Sequence, residues 1–206
     1  MTTTVETSSH IPPIARSTTA TGLLIGAVSG KFILQECVEC GMVQYPPRDA
    51  CHHCLGESMA WGEVDPAGTL IAETFIHSSN EPYFRERLPW RTGIVASPMG
   101  ISVVCHVLPS CSVGEPVTMS LRFDEAGCAV VVASVDESLD GVSSNGSRPV
   151  ANDFVSDVQG RTLILNGLES DLARVLSEAA LKRGARVVVS EAGETGASTG
   201  LAIRVG

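Results

Sequence analysis

Cys37-Val38-Glu39-Cys40-Gly41-Met42-Val43-Gln44-Tyr45-Pro46-Pro47-Arg48-Asp49-Ala50-Cys51-His52-His53-Cys54 contains two Cys-x-x-Cys pairs with ten residues between them. Four thiolates at that spacing close a tetrahedron around one Zn²⁺, which takes four soft ligands in a structural site. Gly41, directly after the first pair, suits a turn with φ > 0 that lets backbone amides face sulfur. An S₄ site also accepts iron, and buried free thiols or a disulfide are further readings. The spacing favours zinc, held by Cys37, Cys40, Cys51 and Cys54. His52 and His53 are expected to be exposed spacers, because four thiolates already complete the set. Pro46 and Pro47 favour extended chain and suit the passage between the two arms of a ribbon.

Outside this stretch the chain has the composition of a globular protein. Its 206 residues are 44% hydrophobic and 18% charged, enough for one large domain or two small ones. No apolar run approaches the length of a membrane span. The run 23–28 is too short for a signal segment and has no basic start, so no export is expected. Seven cysteines, four of them in metal spacing, point to a reducing cytoplasm. Cys105, Cys111 and Cys128 read as buried small hydrophobes. Cys105 and His106 are neighbours on a predicted strand and point to opposite faces, which argues against a catalytic pair.

Residues 1–21 are Thr/Ser-rich and read as a loose arm. Residues 22–58 hold an apolar stretch, a short alternating strand at 32–36 and the ribbon. From 59 to 137 the pattern is one of short strands separated by Gly, Pro and Asp. Segments 68–77, 92–97, 100–107, 116–123 and 128–134 each read as a strand, and the middle pair and the last pair as hairpins. Five strands with no long helix predict a small Greek-key barrel of the OB type. Residues 138–160 read as a linker. The period then changes: strand 161–165, helix 169–183 and strand 185–190 make a β-α-β unit within a tail over 161–206. The predicted fold class is mainly β, with a zinc ribbon and a five-stranded OB-type barrel followed by a small α/β unit.

The knuckles with Tyr45-Pro46-Pro47-Arg48 between them resemble the DUF35 family. So do Gly68-Thr69, Thr74 and the segment Tyr83-Phe84-Arg85-Glu86-Arg87-Leu88-Pro89-Trp90. The resemblance covers residues 30–136, about half the chain. It implies a rubredoxin-like zinc ribbon joined to an OB-fold. It also implies a subunit that is not catalytic alone and pairs with a thiolase-fold enzyme acting on acyl-CoA thioesters. The reactions that go with such partners are thiolysis, condensation, acyl transfer and retro-aldol cleavage. A cytoplasmic hetero-oligomer with acyl-CoA at or near its interface is the expectation that follows.

The residues allow that reading independently. Arg85, Arg87 and Arg91 flank Tyr83, Phe84 and Trp90; guanidinium groups clamp phosphates, and aromatic faces stack on adenine or anchor a protein surface. The same loop also reads as solvated, its arginines paired with Glu81 and Glu86 and its aromatics tucked into the barrel mouth. His77 and His106 read as barrel-surface residues.

The tail resembles the opening β-α-β of a short-chain dehydrogenase, with Asn166-Gly167 at the first glycine turn. Asp171 and Ala173 stand where the next glycines belong, and a carboxylate there opposes a pyrophosphate. No NAD binding is expected. Docking on a dehydrogenase, self-association through 161–206 and packing back on the barrel are the readings left open for this unit.

Charge bears on the main competitor, a nucleic-acid module of ribbon and OB shape. The chain carries −9, and residues 61–137 hold ten acidic side chains against four arginines. Phosphate neutralisation dominates nucleic-acid affinity, so neither nucleic acid nor membrane is expected as a partner. A rubredoxin-type electron carrier is the third reading; it leaves the barrel and the tail without a role.

Overall fold

The computed structural model describes residues 18–124, 127–135, 155–156, 158–166, 170–190 and 201–204. Most of the expected arm, much of the expected linker and Gly167 lie outside the described residues. A 3-10 turn at Thr18–Ala20 leads into helix α1 (Thr21–Ser29). The ribbon follows as β1 (Ile33–Cys37), β2 (Val43–Gln44) and β3 (Met59–Glu63), antiparallel in the order β2-β1-β3. Gln35 faces Gln44 across one ladder, and Cys37 faces Met59 across the other.

The barrel is built from β4 (Ala67–Ile76), a short helix α2 (Pro82–Arg85), β5 (Trp90–Ala96), β6 (Ser102–Val107), β7 (Pro116–Asp124) and β8 (Ala129–Ser134). β4, β5 and β6 form an antiparallel meander, β6 runs parallel to β8, and β7 pairs with β8. Pairing of β7 back to β4 closes the cylinder. This five-stranded closure is the OB-type order expected from the sequence. Period-2 alternation fixes the interior: Val117, Met119, Leu121 and Phe123 of β7 are all buried, while the residues between them are not. Gly93 lies inside β5 because a Cβ there would fall 2.6 Å from Val107 Cγ2 and 2.8 Å from Ala72 O. A two-residue strand, β9 (Val155–Ser156), adds to the outer side of β7 within the segment read as linker.

The tail begins with β10 (Thr162–Asn166), α3 (Ser170–Lys182) and β11 (Arg186–Ser190). The two strands pair in parallel through the crossover helix, as the change of period predicts. A strand the sequence reading did not contain, β12 (Leu201–Arg204), pairs in parallel on the other side of β10, giving the order β11-β10-β12. Leu163, Leu165, Leu176 and Ala180 are buried between sheet and helix.

Helix α1 joins the parts. Leu23, Leu24, Ala27 and Val28 are buried, and each large apolar side chain so placed stabilises by about 1.5–3 kcal/mol relative to exposure. A Cβ at Gly22 would run into the Trp61 ring of β3, and one at Gly26 would run into Leu121 of β7. The two glycines let the helix lie close against ribbon and barrel at once. Gly30 ends it in the left-handed conformation, φ +70°. Arg183, just after α3, donates from Nη1 to Ala27 O at 3.2 Å and Val28 O at 3.5 Å. A cation on the last carbonyls of a helix is favoured by the helix dipole. The tail is thereby packed against the body of the chain. No helix among the described residues is long and apolar enough to cross a membrane.

Candidate functional site

Two near-identical turns build the metal centre. In the first, the Gly41 amide donates to Cys37 O (2.8 Å) and the Cys37 amide to Met42 O (3.0 Å). In the second, the Leu55 amide donates to Cys51 O (3.0 Å) and the Cys51 amide to Gly56 O (2.8 Å). Both closing residues are left-handed, Gly41 at φ +69° and Leu55 at φ +63°. For a residue with a side chain that conformation costs about 1 kcal/mol.

The four sulfur atoms lie within 4.8 Å of one another, with Cys37 and Cys54 3.5 Å apart and Cys40 and Cys51 3.7 Å apart. A tetrahedron with metal–sulfur bonds of about 2.3 Å has edges of roughly 3.8 Å, so the cluster fits Zn²⁺. The amides of Cys54 and of His53 (the latter 3.4 Å from Cys51 Sγ) bring the Cys51 thiol down to about 6, whereas Cys40, despite the Met42 amide, is pushed up to about 12 by burial and the neighbouring thiols. Zinc held by Cys37, Cys40, Cys51 and Cys54 has no open position, so its contribution is structural. His52 and His53 are exposed and outside the ligand set.

A pair of buried amides braces the second turn. Gln35 Oε1 accepts from Gln44 Nε2 (2.8 Å) and from the Arg48 amide (2.9 Å). Gln44 Oε1 accepts from the His52 amide (3.1 Å) and lies 3.1 Å from His52 Nδ1. Gln44 Nε2 also donates to Ala50 O at 3.3 Å. The Gln44–Gln35 bond joins β2 to β1, and the others tie those strands to the loop that presents Cys51. Gln44→Leu keeps the volume and removes the bonds; zinc affinity is expected to fall about tenfold, measured by competition with a chromophoric chelator. Neither glutamine was singled out in the sequence; their facing register on β1 and β2 is the signal that finds them.

The aromatic segment is brought together as one column. Phe84 stacks on Trp90 (centroids 4.6 Å apart, 11° between planes), and Trp90 on His106 (5.1 Å, 18°). Trp90 Nε1 donates to His106 Nδ1 at 2.9 Å, a role for His106 that the sequence reading missed. Tyr83 is buried, edge-on to Phe84 at 5.0 Å.

The three arginines separate. Arg87 lies 3.7 Å over the Tyr83 ring and donates to Tyr83 O. Arg85 is exposed and donates to the carbonyls of Ser79 and Asn80. Arg91 pairs with Glu73 and donates to Leu108 O (2.8 Å) and Cys111 O (2.7 Å), pinning the loop between β6 and β7.

Beside the column, the outer face of the meander carries an apolar patch flanked by Thr92 and Ser102. Ala72 faces Ile94, and Ile94 faces Val104, across adjacent strands. Ile71, at the β4 bulge, is 50% exposed, Ile94 36% and Val104 59%. Opposite this face Cys105 points inward, and burial with Cys111 nearby pushes its thiol up to about 12. Burial likewise raises Cys111. Both are packing residues, and the four knuckle cysteines form the metal-ligand group found among the described residues.

Residues 26–60 match the family described as ChsH2, rubredoxin-like zinc ribbon domain. That match agrees with the resemblance to DUF35 drawn from the knuckles. No curated protein matches the chain. One similar solved structure is an Ltp2-ChsH2(DUF35) aldolase, 19% identical, with a TM-score of 0.47, covering 59% of this chain and 97% of that one. Another is a DUF35 protein of unknown function from Sulfolobus solfataricus, 21% identical, TM-score 0.36, covering 47% of this chain and 73% of that one.

Proposed function

We propose, taking residues 26–60 as a ChsH2-type zinc ribbon, that the chain is a non-catalytic accessory subunit of a thiolase-fold enzyme. The enzyme acts on β-ketoacyl-CoA or related acyl-CoA thioesters, by thiolysis in the first instance. The accessory chain docks through ribbon and barrel, covers part of the CoA channel, and works in the cytoplasm. The reactive cysteine and its acid–base partners belong to the enzyme subunit.

The observation that carries this is the apolar row of Ile71, Ile94 and Val104 beside the Phe84–Trp90–His106 column. An exposed apolar stripe on a barrel face suits a protein surface or an acyl chain. The acidic balance of the barrel as a whole makes it a poor track for a nucleic-acid backbone. Arg85 is the group offered to a CoA phosphate, while Arg87 is held by Tyr83 and lies 3.8 Å from the Glu86 carboxylate. Zinc held by four thiolates keeps the ribbon rigid as a platform.

Purification of the tagged chain from its native host, followed by mass measurement of the intact assembly, tests the proposal. A thiolase-fold subunit in fixed ratio is expected, with turnover of acyl-CoA by the assembly and none by this chain alone. The partner's own chemistry then separates thiolysis from retro-aldol cleavage or acyl transfer. A chain recovered alone, or with nucleic acid, overturns the proposal.

A further inference from the structure

The two knuckles share backbone bonds and φ, yet one closes on glycine and the other on leucine. Leu55 holds φ +63° with its side chain 77% exposed. It gains nothing from burial within this chain, and Gly41 shows that the turn itself needs no side chain. A side chain held in that conformation with no burial in return points to a role beyond the packing of the turn itself.

Val38 is 67% exposed on the companion knuckle. The two knuckles meet there: the Val38 amide donates to Ser58 O at 2.9 Å, and Cys37 Sγ and Cys54 Sγ are 3.5 Å apart. The apolar pair has acidic surroundings. The Glu39 carboxylate lies over Gly56, and Glu36 and Glu57 are exposed. Between residues 32 and 60 Arg48 is the single Lys or Arg against four acidic side chains.

We infer that Leu55, with Val38, anchors the ribbon on the enzyme subunit, entering an apolar recess of that subunit bordered by Arg or Lys. Complementary borders set register and steer the encounter. The inference rests on the accessory-subunit reading above and names the surface that reading would use.

The test measures binding of the zinc-loaded chain to the purified enzyme subunit recovered from the native assembly, for wild type and Leu55→Gly. Glycine relieves the turn, so the thermal midpoint of the free variant is expected at or above that of wild type. Its dissociation constant for the enzyme subunit is expected to rise at least tenfold, and wild-type affinity to fall with added salt. Unchanged affinity of Leu55→Gly overturns the inference. A lowered midpoint also overturns it, because Leu55 would then serve the ribbon's own fold. Salt-independent wild-type binding overturns the basic border. Absence of any enzyme subunit that binds wild type is a different outcome: it overturns the accessory-subunit reading itself.

Discussion

Removal of zinc is expected to unfold the ribbon and leave the barrel standing. The ribbon has one strand of two residues, and its two turns converge on sulfur rather than on an apolar core. In small domains of this kind the apparent metal-binding free energy at neutral pH, about 10–16 kcal/mol in zinc-finger peptides, is largely folding free energy. The barrel instead closes on its own ladders around Phe123, Met119, Leu70 and Val95. Native hydrogen exchange after dialysis against a chelator should show the amides of Cys37, Val38, Cys51 and Leu55 losing protection. Those of β7 and β8 should keep theirs. Cys37→Ser should act in the same direction, and metal analysis should return one zinc per chain. A ribbon that stays protected without metal, or an iron-bound red protein, would contradict the structural role given to zinc.

Replacement of Arg91 by Ala is expected to destabilise the barrel by about 3 kcal/mol, as when one partner of a largely desolvated ion pair is removed. Two loop carbonyls, Leu108 O and Cys111 O, lose their donor together, and Glu73 loses its counter-ion. Lysine should recover little, because an ammonium cannot reproduce a guanidinium fork addressed to three acceptors. Arg85→Ala should stay within about 0.5 kcal/mol, as for other exposed positions. Urea midpoints of the three variants decide the matter. Equal values for Arg91→Ala and Arg85→Ala would show that the β6–β7 loop does not depend on Arg91.

That contrast shows what the sequence could and could not carry. Arg85, Arg87 and Arg91 look equivalent as letters, all within a few positions of Tyr83, Phe84 or Trp90. Their partners are backbone carbonyls, rings and a carboxylate brought together only by the fold. The knuckles were legible because four thiols at fixed spacing have few uses, and β7 because its alternation of apolar and polar residues has no helical counterpart.

Helix α1 was read only as an apolar stretch, for a physical reason. It is packed against ribbon, barrel and α3, so apolar residues occupy nearly all its faces and leave no 3.6-residue contrast. Gly22 and Gly26 lower its propensity further, yet both are required by the closeness of Trp61 and Leu121. Strands β9 and β12 are too short for a period to declare itself. His106 was read as a surface residue because its partner Trp90 is sixteen positions away.

The bond from Arg183 to the end of α1 spans 156 positions. On a ribosome adding about 5–20 residues per second, the helix emerges roughly eight to thirty seconds before the element that completes its packing. In that interval the nascent ribbon and then the barrel can cover the sides at Trp61 and Leu121, while the side owed to α3 waits in water. Synthesis order thus makes the later-made unit the one that seals the earlier-made helix, and a chain stalled or ended between the two would display that helix to the chaperones.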